Sequence, residues 1–390
     1  MRKIVLSALT VAALGTVAAS ADTVYKDRNG VLYTTAGEGR VAVEVKDEKV
    51  KKDGFWGRFH AKGDLRLRHE IVEKGVPSPS EVNHERYRFR YGVNVDITDN
   101  ILLETAISSG KYNPTSGNET FESNRNIQDY FLEKLKIDIA DVKYSFDNSW
   151  IRVGKQAHHI YRPIGTQLVW DNDIRLEGLN YGFKDDNSQI RLGINRLHRE
   201  KGNKGGVNDD NINIFVGQYV HTLKADEAKV NLGAAYYHYD GVKGATDPYG
   251  SFKQNSNVGG LYTQDYQIAE AFVELKFKDV AGMPFKIAAI GVYNFGASDD
   301  NIGYDVSAEL KMTDKWKAAV TYRDVEKDSV FGAHNDSDFS GGGTDSTGYY
   351  FKTKYQFAKN VDIAGWWNWS ELGSSNREYN RTQLDVILKF

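Results

Sequence analysis

Between Arg86 and Ile97 every odd position is apolar or aromatic: Tyr87, Phe89, Tyr91, Val93, Val95 and Ile97. The even positions hold Arg86, Arg88, Arg90, Gly92, Asn94 and Asp96. Side chains alternate across a strand with a period of two, so one face of this segment wants hydrocarbon and the other wants water. Thr98-Asp99-Asn100 then turns the chain, because Asp and Asn bond their own backbone and tolerate unusual dihedrals. Ile101 to Ser109 resumes with Leu103, Thr105 and Ile107 on one face and Glu104, Ala106 and Ser108 on the other. This hairpin is the unit the chain repeats.

The rhythm starts where Phe59, Ala61, Gly63, Leu65 and Leu67 oppose Arg58, His60, Lys62, Asp64, Arg66 and Arg68. It ends where Leu384, Val386, Leu388 and Phe390 oppose Gln383, Asp385 and Lys389. Between these limits the count reaches sixteen strands. In the fourth the phase slips, with Leu135, Ile137 and Ile139 odd but Val142, Tyr144 and Phe146 even, and a bulge near Ala140-Asp141 accounts for it. Links alternate in length. Those after even strands are short, such as Asp147-Asn148-Ser149 and Ala358-Lys359-Asn360, whereas those after odd strands are mostly long, as at 70–85, 240–264 and 326–346. Only the link near 296–300 breaks this parity.

Composition decides between the two ways of crossing a membrane. With 26% charged residues and no run of about 20 apolar residues, a helical bundle is excluded. A closed barrel escapes that test, because half of each strand faces water and its loops are polar. The 37 glycines, 23 tyrosines and 6 prolines favour sheet. The expected fold is therefore all-β, a 16-stranded antiparallel transmembrane β-barrel with short periplasmic turns and long external loops over residues 55–390. Trp150 and Trp316 fall at the inner rim and Tyr293, Phe295, Trp367 and Trp369 at the outer rim, where a bilayer interface favours aromatics.

Residues 1–21 read as an export signal: Arg2 and Lys3, an apolar stretch from Ile4 to Val17, and Ala19-Ser20-Ala21 for cleavage. Their removal makes the net charge of −3 more negative by the two cations, which gives no footing for nucleic acid. Without cysteine the chain has no disulfide or thiolate chemistry. Residues 22–54 read as an N-terminal periplasmic leader, with a hairpin around Asn29-Gly30 and an alternating Val41, Val43 and Val45.

Several segments make the chain resemble the Gram-negative outer-membrane porins, and within them a family of putative porins. They are Gly63-Asp64-Leu65-Arg66-Leu67-Arg68, the Arg86–Arg90 strand, Asn113-Pro114-Thr115-Ser116-Gly117-Asn118, Asp138-Ile139-Ala140-Asp141, and Trp170-Asp171-Asn172-Asp173 with Glu177-Gly178. Asp141 stands where the pattern has Tyr. The resemblance implies a cell outer-membrane channel, surrounded by lipid, for passive diffusion of ions and small hydrophilic solutes. It also implies a homotrimer, delivery by the barrel assembly machinery through the terminal Phe390, and no enzyme activity or cofactor. A barrel this wide keeps an aqueous lumen.

Pore-lining candidates are Arg58, Arg66, Arg68, Arg86, Arg88, Arg90 and Glu104, since arginines about 7 Å apart on one strand face form a ladder. Either permeating anions face this ladder or Asp64, Asp96 and Glu104 neutralise it. By resemblance, the link at 157–170 takes the place of a constriction loop. Its His158, His159 and Arg162 predict conductance that changes near pH 6.5. The adjacent histidines lack the further ligands a metal requires, and acidic pairs such as Asp209-Asp210, Asp299-Asp300 and Asp336–Asp338 read as solvated. Three alternatives stay open: a channel selective for small anions, an adhesin that binds without conducting, and, least favoured for want of a Gly-x-Ser-x-Gly elbow, a hydrolase.

Overall fold

The computed structural model describes residues 24–26, 32–33, 41–43, 55–75, 79–110, 114–121, 134–198 and 212–390. The expected export signal lies outside them, as do most of 22–54, Asn113 and Asp209-Asp210. Two compact units divide the chain near residue 60. In the first, Val24–Lys26 pairs antiparallel with Leu32–Tyr33 and with Val41–Val43, so the strands on either side of Asn29-Gly30 do pair. The same unit holds a 3-10 turn, Phe55–Arg58, in which Phe55, Trp56 and Phe59 cluster with ring centroids 5.1 to 5.7 Å apart. Arg58, expected on a pore-lining strand face, therefore stands in this turn. The aromatic cluster that curls the chain takes it out of the alternation.

The second unit is a closed barrel of sixteen long strands. They are β1 Phe59–Lys74, β2 Ser80–Asp96, β3 Ile101–Ser109, β4 Leu135–Phe146, β5 Ser149–Ala157, β6 Arg175–Lys184, β7 Ser188–His198 and β8 Ile212–Lys224. After these come β9 Ala228–Asp240, β10 Tyr266–Val280, β11 Met283–Asn294, β12 Ile302–Lys311, β13 Trp316–Val325, β14 Ser346–Ala358, β15 Val361–Leu372 and β16 Arg377–Lys389. Each pairs antiparallel with its chain neighbours. Closure comes from β16 on β1, where Arg68 lies opposite Asp385 and Leu67 opposite Val386. A closed sheet leaves no edge, which is what allows backbone polar groups to cross hydrocarbon.

Alternation sets the two faces. Leu67, Val153, Leu192, Leu232, Val320 and Leu384 are exposed on the outside, while Arg68, Arg152, Asn195, Asn231, Thr321 and Gln383 are buried inside. The fourth-strand slip is a bulge, but it falls at Asp138. Ile137 pairs with Ile107 and Ile139 with Ala106, so Asp138 is the extra residue and turns its carboxylate inward, two positions before the place expected. Short turns are held by their own side chains. Asp185 accepts backbone N–H bonds from Asn187 and Ser188 at 2.8 and 2.6 Å, and Thr313 does the same for Trp316 at 3.0 Å. Trp316 faces outward at the short-turn rim, as expected. Trp150 does not: it shares the phase of inward Arg152, covers Gly182, and has the Arg152 and Arg191 guanidinium carbons 5.8 and 5.6 Å from its ring centroid.

Three long loops fold inward. The β5–β6 loop runs along the inside of the wall from β8 to β12. Tyr161 N donates to Gln218 at 2.7 Å, Ile164 N donates to Glu274 at 3.1 Å, and Thr166 bonds Asp305. The β13–β14 loop lies against it through Asp171 N to His334 O at 2.7 Å and Asp336 N to Gln167 O at 3.1 Å. The β9–β10 loop locks the second loop, its Asn255 donating to Lys327 O and Val330 O and accepting from Gly332 N. Together with inward Ile212, Ile214, Tyr237, Tyr239, Tyr266 and Ile268 these loops bury Leu168, Trp170, Tyr262, Val330, Phe331 and Phe339 in one apolar cluster inside the barrel.

Candidate functional site

What remains of the lumen is bounded on one side by that packed cluster and on the other by β1–β4 and β16. The ladder residues Arg66, Arg68, Arg86, Arg88 and Arg90 do come together on this second wall, joined by Arg381 from β16. They are not left bare. Arg88 and Arg90 donate to the two oxygens of Asp64 at 2.8 and 2.7 Å, and Arg68 binds both oxygens of Asp385 at 2.6 and 2.8 Å. Arg381 and Arg86 share Glu70 at 2.7 and 3.2 Å. Arg66 donates to Asn118 at 2.5 Å and lies 3.7 Å from Asp385. Of the three expected neutralisers, Asp64 takes that role here. Glu104 instead pairs with Arg152 and, at 3.2 Å, with Lys62, and accepts from Asn94.

Two carboxylates reach the ladder from loops. Asp173, on the β5–β6 loop, lies 3.4 Å from Arg90 and 3.9 Å from Arg88. Asp338, on the β13–β14 loop, lies 3.1 Å from Arg381 and 3.5 Å from Arg68, and accepts from Gln383 at 3.0 Å. Burial by itself would raise the Asp338 carboxyl, but the guanidinium groups of Arg381, Arg68 and Arg66 hold it well below the usual carboxylate range. Asp385 could have been found from sequence, because it sits in the inward phase of the strand that must close against β1. Asp173 and Asp338 could not, since nothing local in a loop says which wall it will meet.

The candidate loop residues behave differently from the expectation. His158 is enclosed, its Nε2 3.0 Å from Asp171 O, and burial pushes its pKa well below 6.5. Burial, with Arg152 and Arg191 nearby, pushes His159 down to about 4. The titration expected near 6.5 therefore gives way: burial disfavours the charged imidazole at both positions, and the guanidinium groups of Arg162 beside His158 and of Arg152 and Arg191 beside His159 disfavour it further. Arg162 ties the loop to itself by donating to Trp170 O at 2.9 Å and to Asn172. Asp336 goes to Arg323 at 3.3 Å, beside the Arg323–Asp305 pair at 2.7 Å.

Cavities mark the open parts of the lumen. One of about 500 Å³ opens on the long-loop side beside Lys74, Arg86, Lys253 and Arg381, with five cationic against two anionic side chains in its lining. A second of about 250 Å³ lies below the tip of the β5–β6 loop, beside Gly165, Arg68 and Lys352, with four against two. A third, about 390 Å³ at the short-turn rim beside Lys286, Lys317 and Lys389, has six against three, and a fourth, about 510 Å³ beside Lys136, Asp173, Arg175 and His334, has four against three. The first two are separated at the ladder by Arg68, Gln383 and the Asp338 carboxylate.

Residues 77–270 and 299–390 match a family described as putative porin. In fold the chain is similar to Salmonella typhi OmpF in its complex with daunomycin, at 12% identity and a TM-score of 0.52, over 85% of this chain and 97% of that one. A triple mutant of the Rhodopseudomonas blastica porin aligns at 13% identity and a TM-score of 0.49, over 85% of this chain and 100% of that one. Among curated proteins none matches the sequence.

Proposed function

The chain belongs to the putative porin family and is an outer-membrane channel, not an enzyme; from that premise we propose that its lumen passes small anions in preference to cations. The carrying observation is the charge of the four cavities, three of them lined by at least twice as many cationic as anionic side chains and the fourth by four against three, on a chain whose net charge is −3. Field lines concentrate in a narrow aqueous path with low-dielectric walls, so a local excess of this size outweighs the charge of distant external loops. Arg66, Arg68, Arg86, Arg88 and Arg90 line this path with Glu104 and Lys62 below them. Asp64, Glu70 and Asp385 neutralise the ladder enough to keep an anion from being held too tightly, which is what conduction requires.

The β5–β6 loop serves as the constriction, with Arg162 and His158 bracing it from within and His159 fixing it to the wall, its O accepting from Arg191 at 3.0 Å and its ring lying against Trp150. Asp173 and Asp338 occupy ladder positions that a passing carboxylate or phosphate would compete for. Kinship with porins is the ground on which a homotrimer, and delivery by the barrel assembly machinery through Phe390, are proposed. The test is the zero-current potential of the reconstituted protein in a potassium chloride gradient across a planar bilayer. Chloride preference is expected; a potential of the opposite sign overturns the proposal.

A further inference from the structure

Almost every cation around the middle cavity has a carboxylate partner. Arg68 holds Asp385 at 2.6 Å, Lys317 holds Glu309 at 2.8 Å and Lys354 holds Asp362 at 2.8 Å. Lys352 is the exception among the described residues lining it, with no carboxylate oxygen within ion-pair distance. The nearest loop acids are committed elsewhere, Asp336 to Arg323 and Asp338 to Arg381. Its Nζ sits instead on aromatic faces, 3.9 Å from the Trp366 ring centroid and 4.7 Å from that of Tyr350. Those two rings are stacked at 5.2 Å, and Lys352 and Trp366 are direct cross-strand partners on β14 and β15. Ring faces attract the ammonium and fix its position, yet they leave its net charge uncancelled and some of its N–H donors without an oxygen.

The rest of this cavity is largely apolar, with Ile164, Ala318, Ala319 and Ala364 beside Trp366, and its volume of about 250 Å³ admits a body of one ring. It opens under Gly165, where an added Cβ would meet nothing within 4 Å. A fixed cation, a guanidinium nearby and an apolar floor suit a molecule with one anionic end and a hydrocarbon body. We propose that Lys352, with Arg68 and the Trp366 floor, forms a binding station for small organic monocarboxylates at the constriction. It rests on the anion-preferring reading above and names the solute class that the channel would retain longest. A carboxylate arriving from the outer cavity displaces Asp338 from Arg68 and then exchanges onto Lys352.

The experiment uses the full chain in planar bilayers, carrying chloride current, with benzoate or acetate added. Benzoate interrupts the current at concentrations where acetate does not. Lys352→Gln weakens that block by about tenfold, the scale of one lost charge-assisted contact. Lys352→Arg retains it, and Trp366→Leu weakens benzoate toward acetate; these two variants carry the test should the glutamine variant fail to assemble. A chloride-preferring wild-type channel that ignores benzoate, or equal block in the wild type and Lys352→Gln, overturns the station and leaves the anion reading standing. A cation-preferring wild type sinks that earlier reading first.

Discussion

The two walls of the lumen are built from the same alternation and do opposite work. On β8 the inward phase is Ile212, Ile214, Val216, Gln218 and Val220; on β1 it is Asp64, Arg66, Arg68, Glu70 and Val72. The first is a surface that water does not satisfy, and the loops cover it with Trp170, Phe331 and their neighbours until it resembles the core of an ordinary globular domain. The second keeps its charges in cross-strand and loop pairs beside open cavities. The contrast teaches that a barrel interior need not be uniform: a dry wall can hold the loops while a charged wall faces the solute. Mutations should separate these duties.

The largest effect is expected on the dry wall. Phe331 is fully buried between Tyr239, Tyr262, Tyr266 and His334, and Phe331→Ala should cost about 3–5 kcal/mol. Denaturant titration of the detergent-solubilised protein measures it, and single-channel conductance should rise as the loop loosens. If stability is untouched, the loop packing is not what keeps that side closed.

Arg88→Glu acts on the other wall. It places a third carboxylate against Asp64 and Asp173, so the zero-current potential should move toward cation preference while the denaturation midpoint changes less than for Phe331→Ala. An unmoved potential would remove the ladder from the conducting path.

The smallest effect is expected from pH. Burial holds His159 neutral to about pH 4 and pushes His334 down to about 3, with His158 also well below 6.5. The unfolded chain binds protons at these imidazoles from 6.5 downward while the folded one does not. Their stabilising contribution is therefore complete above 6.5 and declines as the pH falls toward the folded values. In the His84→Gln background, which removes the imidazole lining the outer cavity, conductance followed from neutral into acid should show no inflection near 6.5 and should change only near 4. A step at 6.5 would mean that the histidines are wet and that the loop is not packed on the dry wall.

Much of the dry wall is written in the sequence. Ile212 to Val220 is apolar on both phases, Phe215 and Tyr219 outward against Ile212, Ile214 and Val216 inward, and a strand greasy on both faces is one whose lumen side is covered. Val330, Phe331 and Phe339 in a loop otherwise rich in Gly, Asp and Ser carried the matching signal. Trp150 shows the limit of reading rims from strand ends: its phase, not its position, decides that it faces the arginines. Arg58 shows the same limit, since its place in the alternation was overridden by three aromatic neighbours.

A period of two, and links whose lengths alternate, were enough to specify the strand count, the antiparallel order and which side chains face lipid, because those follow from backbone geometry and from the cost of polar groups in hydrocarbon. Which carboxylate meets which arginine, where the loops settle, and why Lys352 is left on aromatic rings without a counter-charge were decided only in three dimensions. Those contacts join residues as distant as Arg68 and Asp385, and a local pattern contains no term for what closure brings side by side.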